Sequence, residues 1–274
     1  MKIYIFGTNG MIGSYIKKYL STNFTIISIN KNDIDVSNIS YDILDNFLSK
    51  YNPSKNDILI NCIGIIPHTV DNNIDNTRTF FTINSLFPIT LSHVCKKYNM
   101  KFIHITTDCV FSGSKGMYNE DDFPDEKKIY GMSKSLGDLA SGTIIRTSVI
   151  GEENKNSLQL LEWIKSNKNG EINGYSNHYW NGITCLQLSK NIEIIINKDM
   201  YWNGVRHIFS PNIVSKFELA NIINDVYNLN ITITCVKTEN DSNKSLISIH
   251  ETNSLFEIPP LIEQIKELKE YNIQ

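Results

Sequence analysis

The chain has 274 residues, 41% of them hydrophobic and 20% charged, with a net charge of −3. That is enough chain for one large α/β domain, or for a domain with a smaller second lobe, and the faintly acidic balance gives no basic field for nucleic acid. The five cysteines, Cys62, Cys95, Cys109, Cys185 and Cys235, stand singly with no C-x-x-C pair, which argues against a zinc site or a disulfide framework and fits a reducing compartment.

The opening MKIYIFG is an apolar run ended by glycine, too short for a signal-peptide core. No later run approaches the length of a membrane span, so a cytoplasmic protein without a membrane partner is expected. KIYIFG reads as a strand and MIGSYIKKYL as a helix, with Ile12, Ile16 and Tyr19 or Leu20 on one face. FTIISIN is a second strand, SYDILDNFLSKY an amphipathic helix, and DILINCIG a third strand. TFFTINSLFPITLSHVCKKY predicts one long helical stretch kinked at Pro88. KFIHITT is a strand, YGMSKSLGDLAS a helix, and TIIRTSVIG a strand again. Continuous apolar strands are buried on both faces, so the sheet is expected to be parallel and flanked by helices. This β–α alternation predicts a doubly wound α/β fold over residues 1–151.

After Gly151 the alternation weakens. SLQLLEWIKSN, LSKNIEIIINK, SKFELANIINDVY and PPLIEQIKELKEY read as helices, and VRHIFS as one more strand, expected near 204–209 and returning to the sheet. Residues 152–274 are therefore expected to form mainly a smaller substrate lobe. Its aromatic, amide-rich stretch 174–184, GYSNHYWNGIT, offers His178, Trp180 and Asn181 as substrate contacts. The alternative for this stretch is a structured turn with Trp180 in the core.

The first strand runs into GTNGMIG, residues 7–13. Gly7 suits a tight turn, Gly10 allows a pyrophosphate to approach the backbone, and Gly13 allows close helix–strand packing. Asn9, Met11 and Ile12 complete this phosphate loop, where free N–H groups and the helix dipole favour anions. An acid at the end of the second strand usually holds the ribose of NAD. Here Asn30 and Lys31 stand at that place, with no acid before Asp33. A lysine suits a 2′-phosphate, so NADPH is favoured, with NADH as the alternative. Asp35 and Val36 are placed to flank the adenine. Cys62, Ile63 and Gly64 end the third strand at the same sheet edge and border the cofactor.

Ligands of open α/β sheets bind beyond the carboxyl ends of the strands, where HITTDCVFSG places Thr107, Asp108 and Cys109. Alternation along a strand puts Thr107 and Cys109 on one side and Asp108 on the other. Tyr130 and Lys134 follow as an i, i+4 pair on one helix face. A hydroxyl, a phenol and an ammonium at one point suit carbonyl reduction: Tyr130 as proton donor, Lys134 as its charged partner and a ribose ligand, and Thr107 as a hydrogen-bond donor to the carbonyl oxygen.

In GTNGMIG, NCIG, TTDCVFSGSKGMYNEDD, YGMSKSLGD and IIRTSVIG the sequence resembles the extended short-chain dehydrogenase/reductases, which have a Rossmann fold, and within them the dTDP-4-dehydrorhamnose reductases. The resemblance spans residues 1–151 and, more loosely, SPNIVSKFELANII. It implies Thr107, Tyr130 and Lys134 as the catalytic trio, a nucleotide-linked 4-keto-6-deoxy sugar as substrate, and reduction of its 4-keto group. A homodimer is left open. Cys109 stands where those reductases usually have tyrosine, and Val149 where they have tryptophan. The cysteine is similar instead to that of GDP-fucose synthase and plant-type rhamnose epimerase/reductases. It makes Cys109 a candidate base for epimerisation at C3 or C5 if its pKa is lowered, with His68 or His178 as the acid, or else a small buried residue. The competing functions are a 4-epimerase holding NAD and a non-enzymatic subunit like the regulatory subunit of methionine adenosyltransferase. No metal site is expected.

Overall fold

In the computed structural model, which describes residues 1–67, 75–153 and 159–271, the first half of the chain alternates as its apolar pattern requires. β1 (Lys2–Phe6), α1 (Met11–Leu20), β2 (Thr25–Ile29), α2 (Tyr41–Ser49) and β3 (Ile58–Asn61) follow one another. Then come α3 (Asp75–Phe81), α4 (Phe87–Lys97), β4 (Lys101–Thr107), α5 (Ile129–Gly137) and β5 (Thr143–Thr147). After β6 (Val149–Ile150), α6 (Leu160–Ser166), β7 (Glu171–Tyr175), β8 (His178–Trp180) and β9 (Ile183–Thr184), the chain forms α7 (Cys185–Asn197) and β10 (Gly204–His207). β11 (Val214–Ser215), α8 (Lys216–Tyr227), β12 (Thr232–Val236), β13 (Ser242–Asn243), α9 (Thr252–Phe256) and α10 (Leu261–Glu270) complete it.

Six parallel strands make the central sheet in the order β10-β5-β4-β3-β1-β2. The chain moves outward from β1 to β2 and then restarts with β3 on the other side of β1. That reversal opens a crevice at the carboxyl ends of β1 and β3. Both faces of the sheet are apolar. Ile3, Ile5, Ile60, Ile103 and Ile145 pack on one side with Ile16 and Leu20 of α1 and Leu188, Ile192 and Ile195 of α7. Tyr4, Phe6, Leu59, Phe102 and Ile144 pack on the other with α2 and α4. This explains why the strand sequences read as continuous rather than alternating hydrophobic runs.

The strand expected near 204–209 is β10, which extends the sheet beside β5. α7 also lies on the sheet, against α1, so the chain after residue 151 supplies both a helix and a strand to the half built on the central sheet. The remaining C-terminal elements gather around a separate core that includes Leu161, Ile164, Trp180, Leu219, Ile223, Leu261 and Ile265. The stretch 174–184 is more ordered than a loop: it contributes β8 and β9, and β8 pairs with β11 and β13.

The long helix expected between β3 and β4 is interrupted, and earlier than Pro88. A π-helical turn, Thr82–Leu86, separates α3 from α4, and Pro88 lies in the first turn of α4. There its missing N–H costs little. No described helix is long and apolar enough to cross a membrane.

Candidate active site

The turn after β1 follows its glycines. Gly7 has φ +87°, the left-handed region that glycine occupies without strain. Gly13 lies so close to that turn that a Cβ would stand 2.2 Å from the Gly7 carbonyl oxygen. Gly10 differs: a Cβ there meets only the Gly7 carbonyl, at 3.4 Å. The protein itself leaves that side open, as a site for a group approaching the backbone would require.

Beside this turn lies a hollow of about 410 Å³ lined by Gly7, Asn9, Gly10, Asn30, Lys31 and Asp35, with Val36, Ile63 and Ile65 among its apolar walls. Asp33 is used locally: its carboxylate accepts the Asn30 backbone N–H at 2.8 Å. Asp35 caps the 3-10 turn Val36–Asn38 by accepting the Ser37 N–H, and that hydrogen bond holds its carboxyl below the usual range. Lys31 is exposed at the rim.

Ile63 and Ile65 also border a second cleft of about 440 Å³, lined by Met11, Ile12, Cys62, Gly64, Thr107, Cys109, Tyr130, Lys134 and Val149. The two hollows share Ile63 and Ile65 as a common border. A hollow of about 490 Å³ lies at the opposite edge, around Lys96, Lys101, Gly142 and Trp202. It contains none of the residues singled out from the sequence.

β4 ends at Thr107, and Asp108–Val110 form a 3-10 turn. The strand alternation expected to continue through Cys109 therefore stops at Thr107. The turn still leaves Thr107 and Cys109 on the cleft and buries Asp108 at 3% exposure. Thr107 Oγ1 accepts the Cys109 N–H at 3.1 Å and donates to Asp108 Oδ1 at 3.2 Å. Tyr130 lines the same cleft as Thr107, and burial, followed by the nearby Cys109, raises its pKa. Its phenol therefore keeps its proton at neutral pH. Lys134 Nζ donates to the Ile105 carbonyl at 3.1 Å, and burial lowers its pKa to about 8.

Cys109 does not have the lowered pKa that a thiolate base needs. Burial, with the Asp108 carboxylate adding to it, pushes the thiol up to about 12. For the stretch 174–184 the structure takes the alternative of a structured segment with Trp180 in the core. Trp180 is in the core at 4% exposure. Asn181 is also buried and bonds both the N–H and the carbonyl of Leu246. His178 Nε2 pairs with Thr238 Oγ1 at 2.9 Å. None of these three lines the cleft, because the strand pairing of β8 turns them to structural tasks. His68 lies outside the described residues.

Two residues were not anticipated. Asn84, in the π-helical turn and fully buried, accepts the Ile65 N–H and donates to the Ile65 carbonyl and to Ser133 Oγ. It ties the loop after β3 to the catalytic-face helix. An amide inside the apolar run FFTINSLFP was the available signal, since such a group must find partners. Lys216, the first residue of α8, lies with Nζ 4.9 Å from the Trp180 ring centroid. It is electrostatically coupled to Asp108 and Cys109, and burial lowers its pKa.

A parallel sheet with this switch point, a glycine turn opening α1, and a threonine with a Y-x-x-x-K helix on one cleft define an extended short-chain dehydrogenase/reductase. Within that class the chain belongs to the family described as RmlD substrate binding domain, whose model matches residues 1–252. It is 27% identical over 254 residues to the spore coat polysaccharide biosynthesis protein SpsK of Bacillus subtilis, covering 89% of this chain and 86% of that one. It is 26% identical over 185 residues to a dTDP-4-dehydrorhamnose reductase of Aggregatibacter actinomycetemcomitans, covering 63% and 59%. Among solved structures, the dTDP-4-dehydrorhamnose reductase of Bacillus anthracis in complex with NADP superposes with TM-score 0.82 at 22% identity over 99% of both chains. The UDP-glucose 4-epimerase of Thermotoga maritima, with UDP-glucose, has TM-score 0.76 at 14% identity, covering 99% and 98%.

Proposed function

We propose that this protein is an NADPH-dependent reductase of the 4-keto group of a nucleotide-linked 4-keto-6-deoxy sugar. The observation that carries the reading is the pair of neighbouring hollows, one at the glycine turn and one lined by Thr107, Tyr130 and Lys134, that share Ile63 and Ile65. NADPH fits the residues present. The backbone is open at Gly10, Lys31 stands where a 2′-phosphate would need a cation, and the nearest acid, Asp33, is occupied by its own turn. The cofactor would supply hydride to the carbonyl carbon.

The chain's own residues do the rest. Tyr130, kept as a phenol by burial, gives its proton to the carbonyl oxygen. Thr107 offers its hydroxyl to that oxygen as charge develops. Lys134 carries the positive charge beside Tyr130 and has donors for the nicotinamide ribose. Asn84 holds Gly64 and Ile65 at the cofactor edge.

Inversion at C3 or C5 before reduction is a second reading, favoured by the electrostatic interaction of Lys216 with Asp108 and Cys109. Burial keeps the thiol protonated and lowers the pKa of the lysine. The proton acceptor would then be the Lys216 amine and the donor the Cys109 thiol, the reverse of a thiolate base.

Incubation with UDP-, dTDP- and GDP-linked 4-keto-6-deoxy sugars and NADPH, with products read by NMR, tests both readings. NADPH oxidation with formation of a 4-hydroxy sugar is the expected result. No turnover of any of the three would remove the reductase reading. In D₂O without NADPH, enzyme-dependent deuterium uptake that is lost in Lys216→Met is the signature of inversion. No uptake leaves a plain reductase.

A further inference from the structure

Lys134 is 5% exposed. An ammonium in such a place loses its proton more readily than in water. Burial brings Lys134 down to about 8, and the charges of Asp138 and Cys62 oppose that fall. The titratable groups facing it are Cys62 from the end of β3, His104 from β4, and Tyr130 and Asp138 from its own helical segment. Burial keeps Cys62 a thiol, pushed up to about 12. Burial, then the nearby Lys134, keeps His104 an uncharged imidazole. Tyr130 is held as a phenol. Asp138 is the carboxylate of this set. It caps the C-terminal end of α5 four residues beyond Lys134, on the same face.

Asp138 is fixed from behind. Arg146 of β5 donates from Nη2 to Asp138 Oδ2 at 2.6 Å, with both side chains almost sealed from solvent. The same guanidinium meets His207 Nε2 of β10 at 3.0 Å and lies 5.1 Å from the Phe111 ring centroid. His207 Nδ1 stands 2.8 Å from the Ile247 carbonyl. Donation there leaves Nε2 to accept from Arg146. Burial, then Arg146, lowers the His207 pKa to about 4, so no second cation opposes the guanidinium. Asp138 Oδ1 is buried with no hydrogen-bond partner among the described residues. Half of the carboxylate is thus left without a donor to damp its field.

We propose that Asp138, anchored by Arg146, is the positioning residue that keeps Lys134 protonated during turnover. This rests on the reductase reading for what Lys134 does, but not for its charge. A neutral Lys134 would lose its electrostatic pull on Tyr130. Activity should therefore fall as pH rises through the Lys134 pKa, and removal of the Asp138 charge should move that fall to lower pH.

The direct test is the titration of Lys134 in the full-length protein without cofactor, followed by NMR of ¹³Cε-labelled lysine and assigned with Lys134→Arg. In Asp138→Asn the midpoint should drop by about one pH unit from its starting value. Asp138→Glu, which keeps the charge, should restore it. Asp138→Asn leaves a buried guanidinium without its partner, so the paired replacement Asp138→Leu with Arg146→Met serves as the second variant. It should lower the midpoint in the same sense. With NADPH and a turned-over sugar, the basic limb of kcat/KM should move with the Lys134 midpoint. A midpoint unmoved in both variants overturns the proposal. A midpoint that drops while no sugar is reduced at any pH supports it and removes the reductase reading instead.

Discussion

Thr107 carries two hydrogen bonds within the chain: it accepts one from Cys109 and gives one to Asp108. Its one hydroxyl hydrogen is given to Asp108 and has to turn to the carbonyl oxygen when a substrate arrives. Tyr130 lines the same cleft, which brings together the two groups that would meet a carbonyl oxygen. Tyr130→Phe keeps the ring and removes the proton. Turnover should fall on the order of 10²–10⁴-fold, with NADPH affinity retained when measured by fluorescence titration. Near-normal reduction by the variant would shift the proton donor elsewhere. Residue types alone made this trio legible, since Thr107, Tyr130 and Lys134 stand at a strand end and on one helix face. They did not make the charge states legible. The raised pKa of Cys109 comes first from burial, which the local sequence does not show, and then from the neighbouring Asp108.

The glycine turn and α1 were readable at the scale of elements because their constraint is local. Gly13→Ala puts a Cβ into the Gly7 carbonyl and should cost about 1–3 kcal/mol of stability, read as a lower denaturation midpoint. Gly10→Val has room in the protein and should leave that midpoint nearly unchanged while NADPH binding is lost. The two outcomes together separate packing from ligand approach. The π-helical turn was not readable. The apolar pattern of residues 79–98 fits one helix, and the break falls where Asn84 bonds Ile65 and Ser133. Asn84→Ala leaves those buried groups unpaired and should cost about 1–3 kcal/mol, with weakened NADPH binding as the functional trace.

Across the whole molecule, the sheet and its switch point followed from β–α alternation, whereas the C-terminal half depended on partners far away in sequence. Trp180 and Asn181 read as ligand contacts because aromatic and amide side chains suit sugars equally well. Their actual tasks, filling a core and pairing with Leu246, involve residues that no nearby pattern indicates. Cofactor preference belongs to this scale too, since it depends on a cation at the rim of an otherwise acidic chain. Lys31→Glu should weaken NADPH by about tenfold or more and NADH much less, measured by parallel titrations. Equal losses would mean that Lys31 does not meet the 2′-phosphate.

The segment that follows the catalytic turn is held by chain made much later. The Asn243 N–H donates to the Gly113 carbonyl, Tyr118 exchanges backbone hydrogen bonds with Ser245 and Ile247, and Glu120 accepts from Ser248 and Ile249. Contacts of such long sequence separation form late, while the amino-terminal part of a chain emerges first during synthesis. A growing polypeptide that has only reached α8 already contains every residue of the trio and the whole glycine turn, but not the strand of chain that fastens 113–120 in place. The segment 113–120 is therefore among the last parts of this protein to be fixed in place, after every residue that lines the cleft has been made.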